Sequence, residues 1–288
     1  MGNAGATRYH APMNLASRYR PLVHALYEAS VQGVEYDLDL MERIYRRHHD
    51  RRFRLLREDF CGTAALAGAW VVRRPENHAW GLDLHGPTLR WAREHRVPRL
   101  GPAAGRLKLL RQDVRSVTRP RVDVICAHNY SYWVFQERRV LLDYFRAVHR
   151  SLKPGGLFFL TAYGGTESEG ATSERKYVPA SRSIDGDHVP PFTYIWQQAR
   201  YNPIDGGILC YIHFRFRDGS MIRRAFTYDW RMWSLPELRD ALAETGFRRS
   251  ECYAEGWDER RGVSDEIYWL RRRFENQASW LALVVGIA

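Results

Sequence analysis

Apolar and polar positions recur along this chain with two different periods. Over residues 15–52 the apolar ones fall three and four apart, at Leu22, Leu26, Val34, Leu38, Met41 and Tyr45, which predicts a largely helical segment after a loose start at 1–14. Short apolar runs then alternate with helical stretches. Strands are predicted at 55–60, 79–84, 107–110, 122–127 and 157–162, with helices at 64–73, 87–96 and 140–152 between them. A Pro/Gly linker at 97–105 precedes the third strand, and Lys153-Pro154-Gly155-Gly156 stops the last of these helices.

The pattern changes after residue 163. Gly, Ser and Pro dominate 164–191, which predicts a long loop. Alternating runs at 192–201, 208–217 and 220–230 then predict antiparallel strands, the last two joined by Asp218-Gly219 as a two-residue hairpin turn. That turn would pair His213 with Arg224 and Tyr211 with Phe226. It would put Ile208, Cys210, Ile212, Phe214, Phe216 and Met221 on an apolar face, and Arg215, Ile222 and Tyr228 on the other. Ser234, Pro236 and Glu237 mark a capped helix that runs to Glu244 and stops at Gly246. Strands at 247–257 and 278–285 follow. No internal repeat is present. The segments are therefore read as a helical cap (1–52), a nucleotide-binding half (53–163), an antiparallel lid (164–233) and a closing unit (234–288).

Strand–helix alternation over 55–162 predicts an α/β fold with a parallel sheet. Its first turn holds Gly62, and Asp83 ends the second strand 21 residues later. A glycine turn followed by an acid at that spacing suits a nucleotide whose ribose diol is held by a carboxylate. A dinucleotide loop needs three glycines so that backbone can approach a pyrophosphate. Here Phe60 and Ala64 hold the outer two places, and Glu58 and Asp59 add negative charge. Such a loop suits a ligand with positive charge and no phosphate, and S-adenosylmethionine has both properties.

At these residues the chain resembles the class I, Rossmann-like, S-adenosylmethionine-dependent methyltransferases. Glu58-Asp59-Phe60-Cys61-Gly62-Thr63-Ala64 aligns with their acid-x-Gly-x-Gly-x-Gly motif, and Leu152-Lys153-Pro154-Gly155-Gly156 is similar to their helix-to-strand run. The resemblance implies a seven-stranded sheet of order 3-2-1-4-5-7-6, with the last strand antiparallel. It also implies that Glu58, Asp59, Cys61, Gly62 and Thr63 hold the methionine end of the cofactor. Asp83 with Leu84 would hold the ribose, Gln112, Asp113 and Val114 the adenine, and Asn129 the methionine part again. Tyr130, Tyr132 and Trp133 would face the acceptor, under a lid like that of small-molecule N-methyltransferases. No general base stands out. His128 and His213 are candidates by chemistry, although a lone histidine is more often structural.

Composition changes this picture little. The net charge of +11 invites a nucleic-acid partner. Yet only Lys108, Lys153 and Lys176 are lysines among 44 basic residues, and the arginines are dispersed in doublets, a bias that arginine-rich codon usage explains equally well. The four cysteines form no zinc spacing, so no metal is expected and the thiols are read as reduced and cytoplasmic. No secretory leader or membrane span is predicted. The reading is methyl transfer to nitrogen or oxygen of a small molecule by a monomer or homodimer. Methylation of nucleic acid or protein is the alternative; a dinucleotide oxidoreductase or a silent nucleotide-binding module is the third.

Overall fold

The computed structural model describes residues 15–258 and 263–288; the expectation of a loose start at 1–14 lies outside them. A 3-10 turn, Leu15–Leu22, leads into α1 (Val23–Val31) and α2 (Val34–His48), separated at Gln32 and Gly33. Then come β1 (Leu55–Asp59), α3 (Ala65–Arg73), β2 (His78–Asp83), α4 (Gly86–Trp91), β3 (Leu107–Arg111), β4 (Val122–Ala127), α5 (Arg138–Ser151) and β5 (Leu152–Gly164). The helix expected over 87–96 continues past α4 as a wider π-helical turn, Ala92–Arg96.

The central sheet keeps the predicted order and extends it. From one edge it runs β3-β2-β1-β4-β5, then β14 (Trp280–Ile287), β12 (Arg249–Asp258) and β13 (Val263–Leu270). The first five strands are parallel, and β14 is antiparallel to β5. It therefore has eight strands rather than seven, because the segment after β12 folds back on it as an antiparallel edge strand. All six residues of β4 are buried, as suits a parallel strand covered on both faces. One face is packed by α2 and α3 through Met41, Tyr45, Leu66 and Trp70. The other is packed by α5 through Leu141, Tyr144, Phe145 and Val148, and by α6 (Leu235–Glu244). Ser234 and Glu237 cap α6 reciprocally, as the sequence indicates.

The run Leu152–Gly156 does not form a separate turn. It begins β5, with Leu152 opposite Val122 and the register shifting before Leu157. Gly156 is needed there: a Cβ would lie 2.9 Å from the Lys153 carbonyl oxygen and 3.0 Å from that of Asp123.

The lid is a second sheet of four strands, not three. Its order is β11 (Met221–Arg231), β10 (Gly207–Phe216), β9 (Phe192–Asn202), β6 (Thr172–Val178). β6 and a small pair, β7 (Ser181–Arg182) with β8 (His188–Val189), lie inside the predicted loop. β6 is polar and is recruited by backbone pairing with β9, so apolar alternation does not reveal it.

The hairpin register also differs. The Phe216 N–H donates to the Ser220 carbonyl and Gly219 sits at φ 81°, which makes a three-residue turn. An irregularity near Arg224, itself at φ 49°, then shifts the pairing so that Phe226 faces Ile212 and Tyr228 faces Cys210. Tyr211 consequently pairs with Thr227 and not with Phe226, while His213 falls opposite the irregularity, next to Arg224. Both strands place their aromatic rows on one face, which packs on Tyr19, Leu22, Leu26 and Tyr27.

Candidate active site

The carboxyl ends of β1, β2, β4 and β5 converge where the strand order reverses between β1 and β4, the place where open α/β sheets bind ligands. The β1–α3 loop is unusual in its backbone. Phe60, Gly62 and Ala64 lie at φ 56°, 52° and 55°. These are the three glycine places of the aligned motif, so the loop keeps the left-handed geometry with two side chains present, at about 1–2 kcal/mol each. Phe60 is held by the rings of Phe135 and Tyr144, 5.8 and 5.9 Å away, and the Ala64 methyl is buried. The loop's amides are tied down by Cys61 N–H to the Leu82 carbonyl at 2.9 Å and by Gly62 N–H to Asp83 Oδ2 at 2.8 Å.

Asp83, ending β2, also accepts from the His85 N–H at 2.7 Å and so stands at the loop's mouth. Glu58 is buried and accepts from the Ala67 N–H at 2.9 Å. Burial pushes its carboxyl up to about 8; the Ala67 amide and Arg96 oppose this, while Asp83 and Asp37 add to it. Asp113 lies at the end of β3 in a bidentate pair with Arg115, which holds its carboxyl below the usual range. The Gln112 N–H bonds the Asp83 carbonyl at 3.2 Å, and Leu84 projects into solvent beside it.

Five expected site residues are instead core. Asp59 is buried in a pair with Arg57 (Nε to Oδ1, 2.6 Å) and accepts from the Tyr144 hydroxyl at 2.8 Å. The Cys61 thiol is buried against Gly81, where a Cβ would come within 2.8 Å of the sulfur. Val114 is buried and gives its carbonyl to Arg57. Tyr132 is buried with its hydroxyl on the Thr161 carbonyl at 2.9 Å, and Trp133 is buried beside it. A sixth, His213, is on the lid face opposite the aromatic rows, held by Gln197 Oε1 at 3.0 Å and by the Arg224 N–H at 3.1 Å.

Asn129 and Tyr130 remain at the site. They follow β4 at φ 54° and 58°, a conformation that turns the chain sharply over the sheet end, with the Tyr130 N–H on Thr161 Oγ1 at 3.1 Å. His128 precedes them, and neither of its buried ring nitrogens has a partner among the described residues. It lies within electrostatic reach of Asp37 on α2, whose carboxyl is raised by burial and lowered by His128.

The N-terminal helices supply residues that periodicity does not single out. Glu28 of α1 accepts from the Thr63 hydroxyl and from Arg96, while Arg96 Nε donates to the Thr63 carbonyl at 2.7 Å. Tyr27, one residue earlier, packs its ring against Phe226 of the lid at 4.9 Å and lies near Asn129 and Tyr228. Tyr27 thus packs cap against lid beside the β4 loop. The acid–threonine contact carries no local sequence signal, since its partners are 35 residues apart.

A cleft of about 500 Å³ lies beyond Tyr163, between the lid and the ends of β5 and β14, and is lined by none of the expected cofactor residues. Its Tyr163 wall meets the Tyr130 ring edge to face, with the centroids 4.8 Å apart. Among the described residues no group of His, Cys, Asp and Glu could hold a metal ion, and no helix is long and apolar enough to cross a membrane.

A family model described as a methyltransferase domain matches residues 59–160. No curated protein matches the sequence. Among solved structures, the amino pentose methyltransferase CalS10 of Micromonospora echinaspora, involved in calicheamicin biosynthesis, is similar at TM-score 0.64 and 16% identity. It aligns over 93% of this chain and 97% of its own. DesVI of Streptomyces venezuelae aligns at 0.63 and 17%, over 92% and 96% of the two chains. An S-adenosylmethionine-dependent methyltransferase of Clostridium acetobutylicum aligns at 0.60 and 18%, over 93% and 98%.

Proposed function

We propose that this protein is an S-adenosylmethionine-dependent methyltransferase that moves the methyl group to a nitrogen or oxygen of a small molecule bound beneath the lid. The observation that carries the reading is the lid itself. Its aromatic face is turned inward onto the cap and the ends of β4 and β5, so that rings, and not an open row of cations, lie over the strand ends. The similar structures fit this, since CalS10 is an amino pentose methyltransferase and aligns through nearly its full length.

The residues present suit the cofactor. The left-handed loop gives a backbone cradle at Gly62, where a Cβ would have its nearest neighbour at 4.0 Å. Asp83 would take the ribose diol and Asp113 the adenine edge after leaving Arg115. Glu58 would face the methionine ammonium from below the loop. When bound, the cofactor supplies a methyl carbon already activated by the sulfonium, so displacement needs alignment more than covalent help from the protein. Tyr130 and Asn129 would orient the acceptor, the lid would exclude water, and His128 would take the acceptor's proton at a free ring nitrogen.

Filter binding at rising salt tests small-molecule against nucleic-acid acceptors. Weak binding to RNA and DNA alike, falling steeply with salt, is expected from the dispersed arginines. A salt-resistant complex with one sequence would make nucleic acid the acceptor.

A further inference from the structure

The end of the cap is crowded with arginines. Arg43, Arg46 and Arg47, three and four residues apart, share one side of the last turns of α2. The helix dipole favours cations in that last turn. It does not account for Arg52, from the link to β1, and Arg74, from the end of α3, arriving at the same place. These residues line a cleft of about 430 Å³ together with Asp39 and Glu42, so every side chain around it is charged. Arg51 turns away, to the buried Asp123 at 3.0 Å.

The two acids are already paired. Asp39 holds Arg73 at 2.8 Å, while Glu42 accepts from Arg73 at 3.1 Å and takes Arg74 with both oxygens. Arg73 is bound by Glu35 as well, at 2.6 Å. Arg43 donates to the Tyr268 carbonyl at 3.0 Å. The side chains of Arg46, Arg47 and Arg52 are exposed and make no hydrogen bond or ion pair with a described residue. Six arginines thus meet three acids, and three positive charges remain uncompensated.

The cleft lies far from the cofactor loop. β1 begins after Arg52 and runs away from it, with about 17 Å of strand before the loop at Gly62. At the same edge of the sheet, His48 meets Glu251 of β12 at 3.1 Å and His49 meets the Gly155 carbonyl, at the start of β5, at 2.9 Å. The arginines therefore stand at the amino ends of the parallel strands, opposite the place of cofactor and acceptor.

We propose that this cleft is a second ligand site, for a small anion made of linked phosphates. Guanidinium forks fit phosphate oxygens two at a time. No ring or apolar side chain lines the cleft, so it offers nothing to hold a base or an acyl chain. A singly charged anion leaves most of the surplus charge unmet, whereas three adjoining negative charges satisfy Arg46, Arg47 and Arg52 together. Bound there, the anion joins the end of α2 to the end of α3 and fastens the cap to the domain. The site is independent of the methyltransferase reading.

The test is titration calorimetry of the full chain with inorganic triphosphate at about 0.1 M salt, where exposed charges still act over about 10 Å. One triphosphate per chain should bind, equally well whether or not S-adenosylhomocysteine is present. Arg46→Ser/Arg47→Ser/Arg52→Ser should weaken it at least tenfold. Arg200→Ser/Arg215→Ser/Arg223→Ser removes the same charge from exposed positions of the lid and should leave affinity within about threefold, since net charge alone acts diffusely. Adenosine triphosphate should match inorganic triphosphate within about threefold, and sulfate should bind at least tenfold more weakly. Triphosphate should also raise the melting midpoint of wild type and lid variant but not that of the cleft variant, whose cooperative melt reports its fold. No binding of triphosphate, several sites per chain, equal loss in the two triple variants, or displacement by S-adenosylhomocysteine would overturn the proposal. Tenfold tighter binding of adenosine triphosphate would overturn it too, by placing the ligand where a ring is held.

Discussion

Glu58 gives the sharpest prediction, because its environment ties stability, pH and cofactor binding to one carboxyl. It is 8% exposed, and burial raises it from 4.5 to about 8. At low pH, folded and unfolded chains both carry its proton and the residue costs nothing. Between about 4.5 and 8 the unfolded chain releases the proton while the folded chain keeps it, so stability falls as pH rises. Above about 8 the folded carboxyl ionises too, and the cost levels off. Each tenfold change in proton affinity corresponds to about 1.4 kcal/mol, so the full cost is on the order of 3–5 kcal/mol. Glu58→Gln keeps an acceptor for the Ala67 N–H and has no such titration. Urea denaturation should therefore show wild type and variant within about 1 kcal/mol of each other near pH 5, with the variant ahead by several kcal/mol near pH 9. If the cofactor's ammonium meets this carboxyl, binding near pH 7 should release about 0.9 proton in wild type and none from this group in the variant. Calorimetry in buffers of different ionisation heat reads that number. A stability difference independent of pH would refute the reasoning about burial, and equal proton release would refute the ammonium contact.

Three further outcomes follow from the same geometry. Asp83→Ala should weaken S-adenosylmethionine by about 1.5–3 kcal/mol, the scale for hydrogen bonds to a charged group, as read by calorimetry; affinity within about twofold of wild type would remove Asp83 from the ribose site. Arg57→Ala should cost about 3–5 kcal/mol in urea denaturation because it strands the buried Asp59, while Arg57→Met with Asp59→Leu should recover most of it. Ala64→Gly should leave stability unchanged or raise it by up to about 1 kcal/mol, relief of the left-handed φ outweighing the buried methyl; a loss above about 1 kcal/mol would mean that the methyl, not the loop strain, dominates.

Much of the central sheet is legible in the sequence because its strands are short apolar runs punctuated by helices and by Pro/Gly. Strand 122–127 is readable to the residue, and the Ser234–Glu237 box announces its helix. Legibility fails where pairing alone makes structure. β6 is a polar sequence that becomes a strand only beside β9, and the lid register turns on Gly219 and Arg224 adopting left-handed φ. At the site, Glu58 and Asp83 are readable from their spacing around Gly62. Asp59 is not, because adjacent strand residues point to opposite faces, so one acid of the pair has to enter the core. Tyr27 and Glu28 escape a reading of the sequence since their contacts span long separations. The loop's three left-handed positions are hidden because Phe60 and Ala64 do not look like glycines.

The most direct measurement of the central claim is transfer itself. The protein is incubated with methyl-labelled S-adenosylmethionine and a total cell extract, and the products are separated into small molecules, nucleic acid and protein. The account predicts that label accumulates in a small molecule and that Asp83→Ala lowers the yield. Label confined to nucleic acid or protein, or no transfer from a chain that binds the cofactor, would contradict it.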